Sequence, residues 1–122
     1  MRKILTVDDS TSMRQMVRAT LQSAGYGVVE AADGQEALEF ARDNAVDLVI
    51  SDVNMPRMDG ITLVGELRAL PGYRLTPLLL LTTESSQEKK MEGKRAGATG
   101  WIVKPFNPTQ LLSTLTKLFG TV

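Results

Sequence analysis

The stretch VDLVISDVNMPRMDG, residues 46–60, decides the fold predicted for this chain. Its first half is a short apolar run ending at Asp52, which is typical of a strand buried on both faces of a parallel sheet. Its second half holds a proline and the pair Asp59-Gly60, typical of a loop leading into a helix capped by Asp59. Open α/β sheets bind ligands at the carboxyl ends of their strands. The stretch therefore predicts a site at a sheet edge, with Asp52 as the reacting residue.

An apolar strand followed by a helix occurs five times along the chain. Strands are predicted at residues 3–7, 27–31, 48–52, 78–81 and 101–103. Helices are predicted at residues 10–24, 33–41, 59–70, 85–96 and 108–119. This repetition indicates an α/β fold, a doubly wound five-stranded parallel sheet with five helices distributed over both faces.

Length and composition exclude several classes of protein. The 122 residues predict one domain, and Lys plus Arg (14) balances Asp plus Glu (14), which gives no net field for nucleic acid or an anionic membrane. The lack of cysteine excludes disulfides and thiolate zinc sites, and the lack of histidine excludes Ser-His and Cys-His catalysis. With no signal peptide or membrane-spanning run, a cytoplasmic monomer with no membrane or nucleic-acid partner is expected.

The charged and hydroxyl side chains that interrupt the apolar pattern stand where the predicted strands end. They are Asp8 and Asp9 after the first strand, Asp52 after the third, Thr82 after the fourth and Lys104 after the fifth. The carboxyl ends of parallel strands share one edge of the sheet. Residues far apart in the sequence are therefore expected to meet in one site.

The chemistry of this expected site follows from its charges. Three carboxylates in one crevice repel each other, so their pKa values should rise unless a cation is present. Oxygen ligands with open positions suit Mg²⁺, and the backbone carbonyl of Asn54 is a further candidate ligand. Lys104 adds a positive charge and Thr82 a hydroxyl donor. These groups suit phosphoryl transfer, with Asp52 as the nucleophile that becomes an acyl phosphate.

Four motifs at fixed spacing resemble one family. They are VDDS at residues 7–10, DVNMPRMDG at residues 52–60, LLTTE at residues 80–84 and KPF at residues 104–106. The chain resembles the receiver domains of two-component response regulators over essentially its whole length, and among them the single-domain chemotaxis regulators. The resemblance implies a flavodoxin-like sheet with strand order 2-1-3-4-5, one receiver domain over residues 1–122, and no output domain.

The resemblance also implies roles for the acidic residues. Asp52 would be the phosphoacceptor and would share Mg²⁺ with Asp9 as a direct ligand. Asp8 would act mainly through water, and Asn54 would supply its carbonyl.

The remaining roles concern the switch. Thr82 would move toward the phosphoryl group and Lys104 would pair with it. The bond from Lys104 to Pro105 would be cis. Trp101 takes the place of an aromatic residue that turns inward when Thr82 moves, a position more often held by Tyr or Phe.

The family resemblance implies a signalling phosphoacceptor, not an enzyme acting on a separate substrate, although it catalyses its own phosphotransfer and slow dephosphorylation. A histidine kinase or a small acyl phosphate would donate the group. The output would be binding to a flagellar motor switch protein or another effector, and a phosphatase is a further partner. The alternative within the family is a phosphorelay intermediate or phosphate sink, which passes the group on without docking to an effector.

The predicted helix at residues 85–96 is the candidate partner surface. Its apolar side has only Met91 and Ala96, and Gly93 inside it costs about 1 kcal/mol against alanine, so low local stability is expected. Its basic side chains, with Trp101 and the last helix, would form a mobile positive face for an acidic peptide. These basic residues are Lys89, Lys90, Lys94 and Arg95.

Three other classes fit the residues less well. A haloacid-dehalogenase-type phosphatase needs Asp-x-Asp, and here the second position is Asn54. A flavodoxin-like electron carrier would place a flavin phosphate beside Asp8 and Asp9, which would repel it. A calcium loop starting at Asp52 lacks Glu at its twelfth position, which is Leu63.

Overall fold

The computed structural model describes residues 1–83 and 86–120. The strands are β1 (Lys3–Val7), β2 (Gly27–Ala31), β3 (Leu48–Asp52), β4 (Leu78–Thr82) and β5 (Gly100–Val103). The helices are α1 (Thr11–Ser23), α2 (Gly34–Asp43), α3 (Gly60–Arg68), α4 (Gln87–Ala96) and α5 (Pro108–Phe119), with a short 3-10 helix at Pro71–Tyr73. Within the described ranges, every helix is too short or too polar to cross a membrane.

The five strands are parallel and form one sheet in the order β2-β1-β3-β4-β5. This confirms the doubly wound fold, and it confirms the strand order that the family resemblance implied. β3 lies in the middle of the sheet, and all five of its residues are buried. The apolar run that ends at Asp52 is therefore the central strand, covered on both faces as its composition predicts.

Alternate residues of the strands face two separate core layers. One layer lies under α2, α3 and α4, and its members include Leu5, Val7, Val49, Leu78, Leu80, Leu38, Leu63 and Leu67. The other lies under α1 and α5, and its members include Ile4, Leu48, Ile50, Leu79, Leu81, Val17, Leu21 and Leu111. Burial on both faces holds the strand ends in fixed register, which positions the polar residues that follow them.

Each of the α-helices α1 to α5 begins at a polar side chain that accepts a hydrogen bond from the backbone N–H three residues later. The caps are Ser10, Asp33, Asp59, Ser86 and Asn107. Such caps each stabilise a helix by about 1 kcal/mol. The predicted caps at Asp33 and Asp59 are confirmed, and α1 ends before Gly25, whose φ of 91° suits glycine.

The structure corrects three details of the predicted helices. Met16 and Met91, expected on apolar faces, are 55% and 49% exposed. α3 ends at Arg68, so Leu70, expected in its apolar stripe, lies beyond it. α4 begins at Gln87 with Ser86 as its cap, whereas the predicted start at Ser85 and the last motif residue Glu84 lie outside the described residues.

Candidate functional site

The register of the sheet brings the predicted site residues to one edge. Ser51 pairs with Val7 on β1, which places Asp8 and Asp9 beside Asp52. On the other side of β3, Asp52 pairs with Leu81 of β4, and Thr82 follows at this edge. The position between β1 and β3 is the switch point of the sheet, where open α/β sheets bind ligands.

The three carboxylates form one cluster at this switch point. Asp8, Asp9 and Asp52 each offer an oxygen, and these oxygens lie within 4.8 Å of one another. Asp52 is 7% exposed and Asp8 is 5% exposed, whereas Asp9 is exposed to solvent. A set of hard oxygen donors, buried on one side and open on the other, fits a divalent cation that keeps part of its water shell.

Lys104 reaches into the same cluster from the end of β5. Its Nζ lies 3.2 Å from Asp8 Oδ2 and 3.3 Å from Asp52 Oδ1. Its backbone N–H donates to the Thr82 carbonyl at 2.7 Å, which extends the ladder between β4 and β5 by one bond. The Lys104–Pro105 peptide bond is cis, as the family resemblance implied.

Burial and the neighbouring Asp8 raise the pKa of the Asp52 carboxyl above its ordinary value. Lys104 opposes this shift, both by its charge and by its hydrogen bond, as does the Val53 N–H that donates to Asp52 Oδ1 at 2.9 Å. The pKa of Asp52 stays raised despite these contacts. Among the described residues of this cluster, three carboxylates face the one ammonium group of Lys104, and a bound cation would neutralise the excess negative charge.

The turn that carries Asp8 is held from α1. The Ser10 N–H donates to Asp8 Oδ1 at 2.9 Å, and Arg14 Nη1 donates to the Asp8 carbonyl at 2.5 Å. Arg14 Nε also lies 3.3 Å from Glu30 Oε1 on β2. Sequence reasoning did not identify Arg14, because its partner is a backbone carbonyl that no side-chain motif records.

The loop after Asp52 is closed at its far end by Gly60. The Gly60 N–H donates to the Val53 carbonyl at 2.8 Å, and a Cβ on Gly60 would lie 2.1 Å from the Asp52 carbonyl oxygen. Sequence reasoning gave this glycine only a place next to the helix cap. The structure shows that it also allows α3 to start against the backbone of Asp52. Asn54 is exposed in this loop.

Trp101 lies beside Leu80, its partner in the register of β4 and β5, and packs against the core layer under α2, α3 and α4. Gly93 of α4 lies over both side chains. A Cβ at Gly93 would stand 2.9 Å from Leu80 Cδ1 and 3.2 Å from Trp101 Cζ3. The glycine that appeared as a defect in α4 is therefore the residue that makes room for the indole.

Gly93→Ala should displace Trp101 even though alanine favours the helix. The added methyl meets Leu80 and the indole, and such overpacking costs about 1–3 kcal/mol, which exceeds the gain in helix propensity of about 1 kcal/mol. We expect a lower unfolding midpoint and a shifted tryptophan emission maximum. Met91→Ala, on the exposed side of α4, should leave the emission unchanged. A more stable Gly93→Ala protein with wild-type emission would contradict this account.

Comparisons with known proteins agree with this geometry. The model of the response regulator receiver domain family matches residues 4–116. Chemotaxis protein CheY1 of Helicobacter pylori J99 is 40% identical over 121 residues, covering 98% of each chain. The structure of Vibrio cholerae CheY4 has a TM-score of 0.92 and 58% identity, covering 97% of this chain and 98% of that one.

A third relative holds a metal in the corresponding fold. It is the receiver domain of sensor histidine kinase PA1611 from Pseudomonas aeruginosa PAO1, described with a magnesium ion coordinated in its active-site cleft. It is 30% identical, with a TM-score of 0.91 and coverage of 98% of both chains. By family model, by sequence identity and by fold, this chain belongs to the receiver domain family of two-component response regulators.

Proposed function

We propose that this chain is a magnesium-dependent phosphoacceptor switch, phosphorylated on Asp52 by a histidine kinase. The observation that carries the proposal is the state of Asp52. Its carboxyl is buried at the switch point, has a raised pKa, and lies between Asp8 and Lys104. A carboxylate in this environment is stabilised by a ligand that brings positive charge, such as a divalent cation.

The transfer step uses the residues at this sheet edge. A carboxylate oxygen of Asp52 attacks phosphorus in a phosphohistidine or acyl phosphate, and a new O–P bond forms. The donor's N–P or O–P bond breaks, and its electron pair leaves with the donor. Magnesium held by Asp8, Asp9, Asp52 and the Asn54 carbonyl would neutralise charge on the phosphoryl oxygens. Lys104 then exchanges its contact with Asp52 Oδ1 for one with the phosphoryl group.

The signal would pass from Thr82 to the α4–β5–α5 face. Thr82 is fully buried at the end of β4, and Lys104 is joined to its carbonyl. A movement of Thr82 toward the phosphoryl group would change the packing beside Trp101, which lies under Gly93 of α4. The output is binding of this face to an acidic segment of an effector in the cytoplasm.

A flagellar motor switch protein is the proposed effector, and the chemotaxis names of the relatives support this choice. The basic residues Lys89, Lys94 and Arg95 are exposed on α4, so they are available to such a partner. A phosphorelay intermediate would share Asp52 and its cluster but would not need this face. A pull-down experiment separates the two roles. If the chain docks to an effector, the phosphorylated protein should retain the motor switch protein, and neutralising these three basic residues should abolish that binding.

The test of the phosphoacceptor itself uses the single tryptophan. Addition of magnesium and then acetyl phosphate should change Trp101 fluorescence in the wild type, and mass spectrometry should show one added phosphoryl group. Asp52→Asn should lose the acetyl phosphate response and the mass increase entirely, because an amide is not a nucleophile for this reaction. An equal response in both proteins would show that Asp52 is not the acceptor.

A further inference from the structure

The β3–α3 loop contains one residue in a backbone conformation that its type rarely adopts. Arg57 has φ of 68°, and the Met58 N–H donates to the Pro56 carbonyl at 2.8 Å across it. This is a three-residue turn with the less common, positive sign of φ. Glycine or asparagine would hold this conformation with less strain. An arginine here carries backbone strain that a glycine would avoid, so the contacts of its side chain distinguish the two residues.

The side chain of Arg57 forms a two-pronged contact with Asp33, which caps α2. Arg57 Nε lies 2.9 Å from Asp33 Oδ2, and Nη2 lies 3.1 Å from Oδ1. Asp33 Oδ1 also accepts the Glu36 N–H at 2.9 Å. The Asp33 side chain is only 12% exposed, although that of Arg57 is 60% exposed. The arginine contact lowers the pKa of Asp33, so this carboxylate stays ionised as an anchor.

A second contact lies beside the ion pair. A Cβ on Gly34 would stand 2.6 Å from the Met58 carbonyl oxygen, so the start of α2 touches the loop backbone directly. The loop is thus attached to α2 through Arg57 and Met58, and its two ends are joined by the bond from the Gly60 N–H to the Val53 carbonyl. Asn54 lies between these attachments.

We propose that Arg57 is a positioning residue for the metal site: its bidentate contact with Asp33 holds the β3–α3 loop against α2 and so fixes the Asn54 segment. This inference rests on the proposed function, since it concerns the loop that would supply the Asn54 carbonyl. Partners that orient metal ligands typically change metal affinity by about 10–100-fold when removed. Arg57 acts through a backbone segment, so its removal should weaken Mg²⁺ binding by about fivefold to tenfold.

The decisive variant is Arg57→Gly, because it removes the contact with Asp33 and at the same time relieves the backbone strain at position 57. Mg²⁺ affinity is measured by isothermal titration calorimetry, and thermal stability is measured in EDTA. We expect the dissociation constant for Mg²⁺ to rise about fivefold to tenfold while the unfolding midpoint stays equal or increases. Arg57→Lys keeps the positive charge but cannot form the bidentate contact, so it should give an intermediate affinity for Mg²⁺.

Asp33→Asn provides an independent variant, since asparagine keeps the helix cap but loses the charge. It should weaken Mg²⁺ binding as Arg57→Gly does, and the double variant should be no weaker than either single one. Lys89→Gln, which removes an exposed ion pair with Glu92 on α4, is the control, and its Mg²⁺ affinity should stay within twofold of wild type.

The outcomes separate the two proposals. Unchanged Mg²⁺ affinity in Arg57→Gly, with a wild type that binds normally, overturns the role of Arg57 alone. An equal loss of Mg²⁺ affinity in Lys89→Gln also overturns it, since the effect would then not be specific to the loop. A wild type that gives no saturable heat with Mg²⁺ overturns both the positioning role and the magnesium-dependent function.

Discussion

Gly60→Ala should destabilise the protein by about 4 kcal/mol, a value at the upper end for single substitutions. A Cβ at this position would lie 2.1 Å from the Asp52 carbonyl oxygen and 3.0 Å from its carbonyl carbon. The obstacle is the backbone of the central strand, which cannot rotate away as a flexible side chain can. To accept the methyl, either α3 must leave the sheet or the end of β3 must move. Urea denaturation measures the free-energy change directly.

Gly65→Ala is the matched control, since Gly65 lies in the same helix and a Cβ there meets nothing within 4 Å. This substitution should stabilise the protein by about 1 kcal/mol through helix propensity. The two variants add the same methyl group to the same helix, and their changes in the free energy of unfolding should have opposite signs. Similar free-energy changes for both would mean that the contact between Gly60 and Asp52 does not limit the start of α3.

Lys104→Met should lower stability by about 2–3 kcal/mol in magnesium-free buffer at neutral pH. It removes the charge that lies 3.2 Å from Asp8 and 3.3 Å from Asp52 while keeping an apolar side chain of similar length. Two buried carboxylates are then left facing each other. Millimolar Mg²⁺ should restore most of the loss, because a cation bound at the carboxylate cluster would replace the missing positive charge and would stabilise the folded state alone. Thermal unfolding with Mg²⁺ and with EDTA provides the comparison.

The loss in Lys104→Met should also depend on pH. Asp52 has a pKa raised above 3.8, so the folded state holds this proton more tightly than the unfolded state does. Its contribution to stability is therefore present below 3.8 and is lost as pH rises through the folded pKa. Without Lys104 that folded pKa rises further, so the difference from wild type should be largest near neutral pH and shrink toward pH 4.

Lys89→Met is the control for this experiment. Lys89 Nζ lies 3.3 Å from Glu92 Oε2, a distance close to those of Lys104, but both side chains are well exposed. Exposed pairs contribute about 0–1 kcal/mol, so this variant should change stability little at any pH. If Lys104→Met lost equal stability with and without Mg²⁺, its effect would come from packing of the side chain and not from the carboxylate cluster.

Sequence reasoning succeeded where the signal is local. Helix caps such as Asp33 and Asp59 and apolar strands such as β3 depend on neighbours in the chain, and both predictions are confirmed. It was wrong about Met16 and Met91, because helical spacing indicates which residues share a face but not how far the neighbouring helices cover that face. Gly93 was treated as a weakness, because propensity describes an isolated helix and takes no account of Trp101 beneath it.

The amino-acid sequence by itself determined the order of strands and helices and the kinds of side chain at the strand ends. Parallel strands bring those ends to one edge, so the meeting of Asp8 with Lys104, 96 positions apart, follows from pattern and topology together. Only the tertiary structure decided which distant residues touch. The backbone of Gly60 lies against that of Asp52, the backbone of Gly34 lies against that of Met58, and the Arg57 side chain contacts that of Asp33 across 24 positions. These contacts depend on distances between separate elements, which no local period of the sequence encodes.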